Sequence, residues 1–322
     1  MKNLLNLFAV LFSAAFIFSA CEGPMGPSGA DGSDGKDGKD ANETCKLCHN
    51  STVVQAKAIE YEHSLHFTGE AFEEGTRNNC APCHSHQGFL DVIRNSTPAT
   101  ITVNPSDPTK YINNYVASSS SLALPGAISC FTCHNSLHKN FESTEFLPLA
   151  TTASVPMTMW GGAKTINFSS TTSNLCSKCH QPRPITASSG ALIDYSKLVS
   201  EPSTAYTLSS VSYRTGVHYG THGAMAAGVG GIEFGSGYEN SDHTEEASCT
   251  DCHMATPSGL AGGHSFNAAG NFAGCNSTGC HSSMSATNTT LTAAKADITS
   301  KLAELAGKIN EIGSGHDILQ RD

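Results

Sequence analysis

Cysteine and histidine carry the chemistry of this sequence. Twelve of its 13 cysteines fall into six clusters that each end in Cys-His. They are Cys45-Lys-Leu-Cys48-His49, Cys80-Ala-Pro-Cys83-His84, Cys130-Phe-Thr-Cys133-His134, Cys176-Ser-Lys-Cys179-His180, Cys249-Thr-Asp-Cys252-His253 and Cys275-Asn-Ser-Thr-Gly-Cys280-His281. A close cysteine pair followed at once by histidine is the pattern that tethers a c-type haem. Two thioether bonds hold the macrocycle, and the adjacent imidazole ligates the iron from one face. Paired cysteines also build zinc sites, but those do not call for histidine directly after each pair. The sequence therefore implies six haem c groups, with His49, His84, His134, His180, His253 and His281 as proximal iron ligands. The sixth cluster has four residues between its cysteines, and a disulfide beside an unattached His281 stays open there.

The far face of each iron separates a carrier from an enzyme. An electron carrier fills both axial positions, whereas a catalytic haem keeps one open. Fifteen histidines less the six proximal ones leave nine: His63, His66, His86, His138, His218, His222, His243, His264 and His316. Nine imidazoles suffice for a second ligand on all six irons. In a chain with only 18 lysines and arginines, so many histidines look recruited. The rival reading is a multihaem reductase of a small nitrogen oxyanion such as nitrite. It needs one open iron in a pocket with acid–base groups, for which His222 or Tyr219 would serve. Met157, Met159 and Met225 could replace a histidine, though nothing around them favours it.

Several stretches resemble segments of outer-surface multihaem c-type cytochromes, a group that includes proteins polymerising into extracellular cytochrome filaments. Cys249-Thr-Asp-Cys252-His253-Met254 followed by Gly262-Gly263-His264-Ser265-Phe266 is similar to one such element. So are Val217-His218-Tyr219-Gly220, Gly230-Gly231-Ile232-Glu233-Phe234 and Asn240-Ser241-Asp242-His243 in order, together with Cys80 to Phe89 and Leu175 to Arg183. The matches span most of residues 45–281. The resemblance implies distal ligation by His66, His138, His218, His243 and His264, with His63 or His86 as the sixth, and leaves His222 and His316 as non-ligands. It also implies electron transfer at the cell surface, other cytochromes and an extracellular donor or acceptor as partners, and self-association into filaments.

The elements that must position these residues are modest. Leu4 to Phe18 form an apolar run too short to span a bilayer comfortably, behind Lys2, so residues 1–20 read as a signal peptide. Phe18-Ser19-Ala20-Cys21 resembles a bacterial lipobox, which makes Cys21 the expected site of lipidation in an exported outer-membrane lipoprotein. Ordinary cleavage leaving a free thiol is the other option. Gly23 to Asp40 is six Gly-X-Y triplets, the collagen pattern, read within residues 21–41 as a spacer or a weak trimerisation stalk. Residues 42–285 form the expected hexahaem domain. First cysteines are 26 to 73 residues apart with no fixed period, which excludes a repeat architecture.

Ser51 starts an expected helix through Val53, Val54, Ala58, Tyr61 and Leu65 that puts His63 and His66 one turn apart. Thr100 to Val103 is weakly β-like, and Gly220 to Gly237 reads as loop. In residues 286–322, Leu291, Ile298, Leu302, Leu305, Ile309 and Ile312 predict a helix after Thr289, packing over the last haem or binding a partner. The expected fold is mostly coil with short helices wrapped around stacked haems, little strand and this terminal amphipathic helix. The protein's own apolar core looks thin for 322 residues at 39% hydrophobic. A net charge of −10 gives no electrostatic footprint for nucleic acid, and no membrane contact beyond the lipid is expected.

Overall fold

The computed structural model describes residues 46, 48–77, 80–94, 101–104, 107–113, 125–134, 149–185, 187–189, 191–201, 203–208, 218, 220–276 and 280–312. The signal segment, Cys21, the Gly-X-Y tract, Cys45, His138 and His316 lie outside them. The chain divides into two compact units, residues 1–53 and 54–322. The first carries Cys48 and His49, both exposed. The described residues are mostly helix and coil with little strand.

Helix α1 (Ser51–Glu62) opens where Asn50 Oδ1 accepts the Thr52 amide at 2.9 Å. It stops earlier than expected. His63 N and Ser64 N bond to Glu60 O and Tyr61 O, a tightened last turn, and the Ser64 hydroxyl then accepts the Phe67 amide at 3.2 Å to cap α2 (Leu65–Thr68). His63 therefore sits in the turn and His66 on a separate helix, not one turn apart on a single one. Tyr61 anchors α1 to the third cluster by donating to Ile128 O.

Two short helices follow, α3 (Ala81–His84) and α4 (His86–Arg94). Strands β1 (Ile101–Asn104) and β2 (Asp107–Asn113) then pair antiparallel with Val103 opposite Tyr111, as the β-like stretch at Thr100 suggested. Helix α5 (Cys130–Cys133) precedes a two-residue ladder of β3 (Val155–Pro156) on β4 (Thr165–Ile166). The remaining helices are α6 (Thr172–Ser177), α7 (Tyr195–Ser200), α8 (His222–Ala226), α9 (Asp242–Glu246), α10 (Cys249–His253) and α11 (Met284–Ile312). Helix α8 lies inside the stretch expected to be loop. Helix α11 begins ahead of Thr289 because Ser283 Oγ accepts the Ala286 amide at 3.1 Å.

Buried apolar side chains form small islands. One joins Val155, Met157, Ile166, Phe168 and Ala224; another joins Phe89, Leu90 and Leu175. Several of the most enclosed residues are small and polar: Ser85, Ser173, Asn174 and Ser177 are fully buried. Asn174 shows why burial is tolerated. It accepts the Phe168 amide and donates to Thr152 O and Asn167 Oδ1, all at 3.0 Å, stitching β4 to α6.

Candidate haem centres

Each cluster in the second unit folds around a helical turn, which puts a cysteine and the one three residues later on one face. In the second, Pro82 occupies the start of α3, where its missing N–H costs nothing, and Ser85 Oγ donates to Ala81 O at 3.0 Å. In the third, Thr132 Oγ1 accepts the Ser129 amide at 2.9 Å. The fifth has a reciprocal cap: Ser248 N donates to Asp251 Oδ2 (2.7 Å) and Asp251 N to Ser248 Oγ (3.3 Å). The sixth departs from the rest, with a 3₁₀ turn at Gly274–Asn276 and His281 N on Cys275 O at 3.1 Å.

Thiols of different clusters meet. Cys83 lies beside Cys179, Cys176 beside Cys249, and Cys252 beside Cys275, while Cys83 Sγ donates to Lys178 O at 3.8 Å and Cys179 Sγ to Pro82 O at 3.9 Å. The second, fourth, fifth and sixth clusters thus form an unbroken row, an order no spacing in the sequence reveals. The third joins beside the fourth, where Cys133 lies close enough to act electrostatically on Cys176 and Cys179. Burial pushes the Cys133 and Cys252 thiols up to about 11. The neighbouring Cys83 thiol and burial raise Cys179 well above the ordinary range, whereas Cys249, beside Cys176, is lowered to about 6.

Imidazoles from distant parts of the chain face one another at a narrow range of separations. Ring centroids are 5.9 Å apart for His84 and His218, 6.2 Å for His134 and His264, and 5.9 Å for His243 and His281. His180 has two such neighbours, His66 at 6.0 Å and His222 at 5.8 Å. These distances lie within the ordinary range of ring contacts and also match what two imidazoles on one iron would need. With metal–nitrogen bonds of about 2 Å, two imidazoles on opposite faces of one iron hold their centres roughly 6 Å apart.

The remaining ring nitrogen is often fixed. His84 Nδ1 donates to Ala71 O at 2.7 Å and His253 Nδ1 to Phe266 O at 2.8 Å, which leaves Nε2 as the unprotonated nitrogen in both. Burial lowers the His180 pKa to about 4 and also depresses His66, His134, His218 and His264. Such imidazoles are neutral near pH 7, the form that binds a metal. Among the described residues, no three His, Cys, Asp or Glu side chains are placed to hold a single metal ion.

Backbone geometry serves the same end. His218 has φ +69° and Phe266 φ +53°, left-handed values uncommon outside glycine that place one ring opposite His84 and one carbonyl on His253. Gly223 lets α8 press against the fourth cluster, since a Cβ there would sit 2.5 Å from both His180 O and Ser177 Oγ. Glu60 reaches across the chain to the third centre. It accepts the His264 amide at 2.9 Å, lies 3.5 Å from His264 Nδ1, and is held by Lys57 Nζ at 2.7 and 3.0 Å.

Of the sequence-predicted distal ligands, His66, His218, His243 and His264 stand opposite a proximal histidine. His138 lies outside the described residues. His86 meets Thr132 Oγ1 of the third cluster at 2.8 Å, and His63 is exposed on a shallow cleft with Glu60, Pro257 and Leu260. His222, read as a non-ligand, lies beside the fourth cluster, its ring centroid 5.8 Å from that of His180. The sequence held one signal for it: His222 lies four residues beyond His218, where one short turn reaches the neighbouring cluster. Comparison with known proteins finds no matching family model, no similar curated protein and no similar solved structure.

Proposed function

We propose that this chain is a multihaem c-type cytochrome that transfers electrons through six covalently bound haems and is not an enzyme. The observation that carries the reading is the set of four His–His pairs 5.8–6.2 Å apart that join the second, third, fourth and sixth Cys-His motifs each to a remote imidazole. When bound, haem supplies one-electron exchange between ferric and ferrous iron. The chain supplies attachment through the paired cysteines, imidazoles as iron ligands, and the row of clusters that sets spacing. Export, a lipid anchor at Cys21 in the outer membrane and residence at the cell surface complete the proposal. Other cytochromes and an extracellular donor or acceptor are its partners, and self-association into filaments follows from the resemblance to outer-surface cytochromes. The test is haem quantification combined with electron paramagnetic resonance of the purified oxidised protein. Six haems per chain, all low-spin, are expected. Absence of covalent haem overturns the reading, and a dominant high-spin signal overturns ligation on both faces.

Two neighbours of His180 supply one ligand too many for one iron. His66 also packs 5.1 Å from the ring of Phe266, whose carbonyl holds His253, so we assign His222 to the fourth centre and His66 to the fifth. His222→Ala and His66→Ala should each turn one haem in six high-spin. A wholly low-spin His222→Ala protein would show that this residue is no ligand. At the third centre, the Glu60 carboxylate beside His264 favours the ferric state by making that imidazole more basic. Glu60→Gln should raise the midpoint potential of one haem and leave the other five in place, measured by spectroelectrochemical titration.

A further inference from the structure

The apolar residues of α11 are not packed over the last centre. The helix meets the body at the Gly274–Asn276 turn, where Thr287 Oγ1 donates to Asn276 Oδ1 at 3.1 Å. Beyond that, Leu291, Ile298, Leu302, Leu305 and Ile312 are 40%, 55%, 59%, 52% and 84% exposed. A helix of 29 residues with such a stripe in water is marginal unless something covers it.

The spacing of the stripe says what covers it. From Leu291 the apolar positions advance by seven, four, three, four and three residues, a heptad repeat in which Leu291, Ile298, Leu305 and Ile312 form one row and Leu302 and Ile309 the other, with Lys295 a polar break in the second row. An ideal helix drifts about 20° per heptad against such a repeat, so the seam stays continuous only when like helices supercoil around it. A stripe for a lipid surface is broader and carries excess cationic charge on its polar face. Here Lys295, Lys301 and Lys308 are balanced by Asp297, Glu304 and Glu311, with Lys301–Asp297 and Lys308–Glu304 paired within the helix at 2.8 and 2.9 Å.

Stoichiometry is indicated twice over. Isoleucine occupies both rows at Ile309 and Ile312, a combination that favours three strands over two, and small residues at Ala294, Thr299 and Ala306 leave room for a third helix beside the seam. Independently, the six Gly-X-Y triplets of residues 23–40 follow the pattern three chains need to wind together. We infer that α11 is a parallel coiled coil that joins three copies of this chain. The inference rests on the helix and the Gly-X-Y tract, not on the haem reading.

Native mass spectrometry of the full mature chain released from detergent tests it. Three chains per particle are expected, and Leu302→Asp/Leu305→Asp should give single chains with haem content unchanged, since both positions are exposed. Filling the polar core positions with Asn288→Ile/Lys295→Ile should raise the melting temperature of the trimer. Single chains or pairs in the unaltered protein overturn the inference. So does a trimer that survives Leu302→Asp/Leu305→Asp, which would assign the joining to the Gly-X-Y tract. Neutral vesicles that bind the unaltered chain, but not that variant, would make a membrane the occupant.

Discussion

Produced without the machinery that attaches haem, this chain should fail to fold outside α11. The reason is visible in what it buries. The apolar islands around Met157 and Phe89 are small, and Ser85, Ser173, Asn174 and Ser177 fill space that large aliphatic side chains fill in ordinary domains. Ordering each residue's backbone costs about 1–2 kcal/mol, and a core this sparse cannot offset that over most of the chain. Beyond the small Phe89–Leu90–Leu175 island and single hydrogen bonds such as His86 to Thr132 Oγ1, the clusters meet through their thiols. Circular dichroism of the haem-free chain should show little structure beyond α11, with rapid proteolysis of residues 54–283. A protease-resistant, cooperatively unfolding haem-free protein would contradict this.

The second large effect concerns the sixth centre. His243→Ala should convert one haem in six from low-spin to high-spin while all six remain attached. His243 and His281 face each other at 5.9 Å and 27°, the most nearly parallel of the imidazole pairs, despite the four residues between Cys275 and Cys280. Helix α9, which carries His243, buries no side chain, so its loss removes a ligand without opening a cavity. Electron paramagnetic resonance reads the spin change, and mass spectrometry counts the attached haems. If Cys275 and Cys280 form a disulfide instead, the mass corresponds to five haems in both proteins and the substitution leaves the spectrum alone.

The six Cys-His motifs were legible in the sequence, because thioether chemistry demands cysteines and histidine in close succession, and in the second unit they sit on short turns of helix. Distal partners are a harder problem. His218 and His84 are far apart in sequence, and nothing local in either announces the other. Resemblance suggested four that stand opposite proximal histidines, yet it set aside His222, whose placement depends on Gly223 admitting α8 to within contact of His180 O. Helix limits were lost where one polar side chain decided them. Ser64 ended the first helix by capping a second, and Ser283 started the last one early. The periodicity of α11 predicted its existence, while its exposure could be learned only from the fold.

One residue links three of the candidate ligands. The Phe266 ring lies 5.1 Å from His66 and 5.9 Å from His264, while its carbonyl holds His253. Ligands that share a support drift together when that support moves, so thermal motion shifts neighbouring centres in concert rather than against each other. Electron tunnelling slows steeply with separation, and its rate is therefore sensitive to relative displacement, not absolute position. A common mount at Phe266 would make the pathway quieter than the loop that carries it.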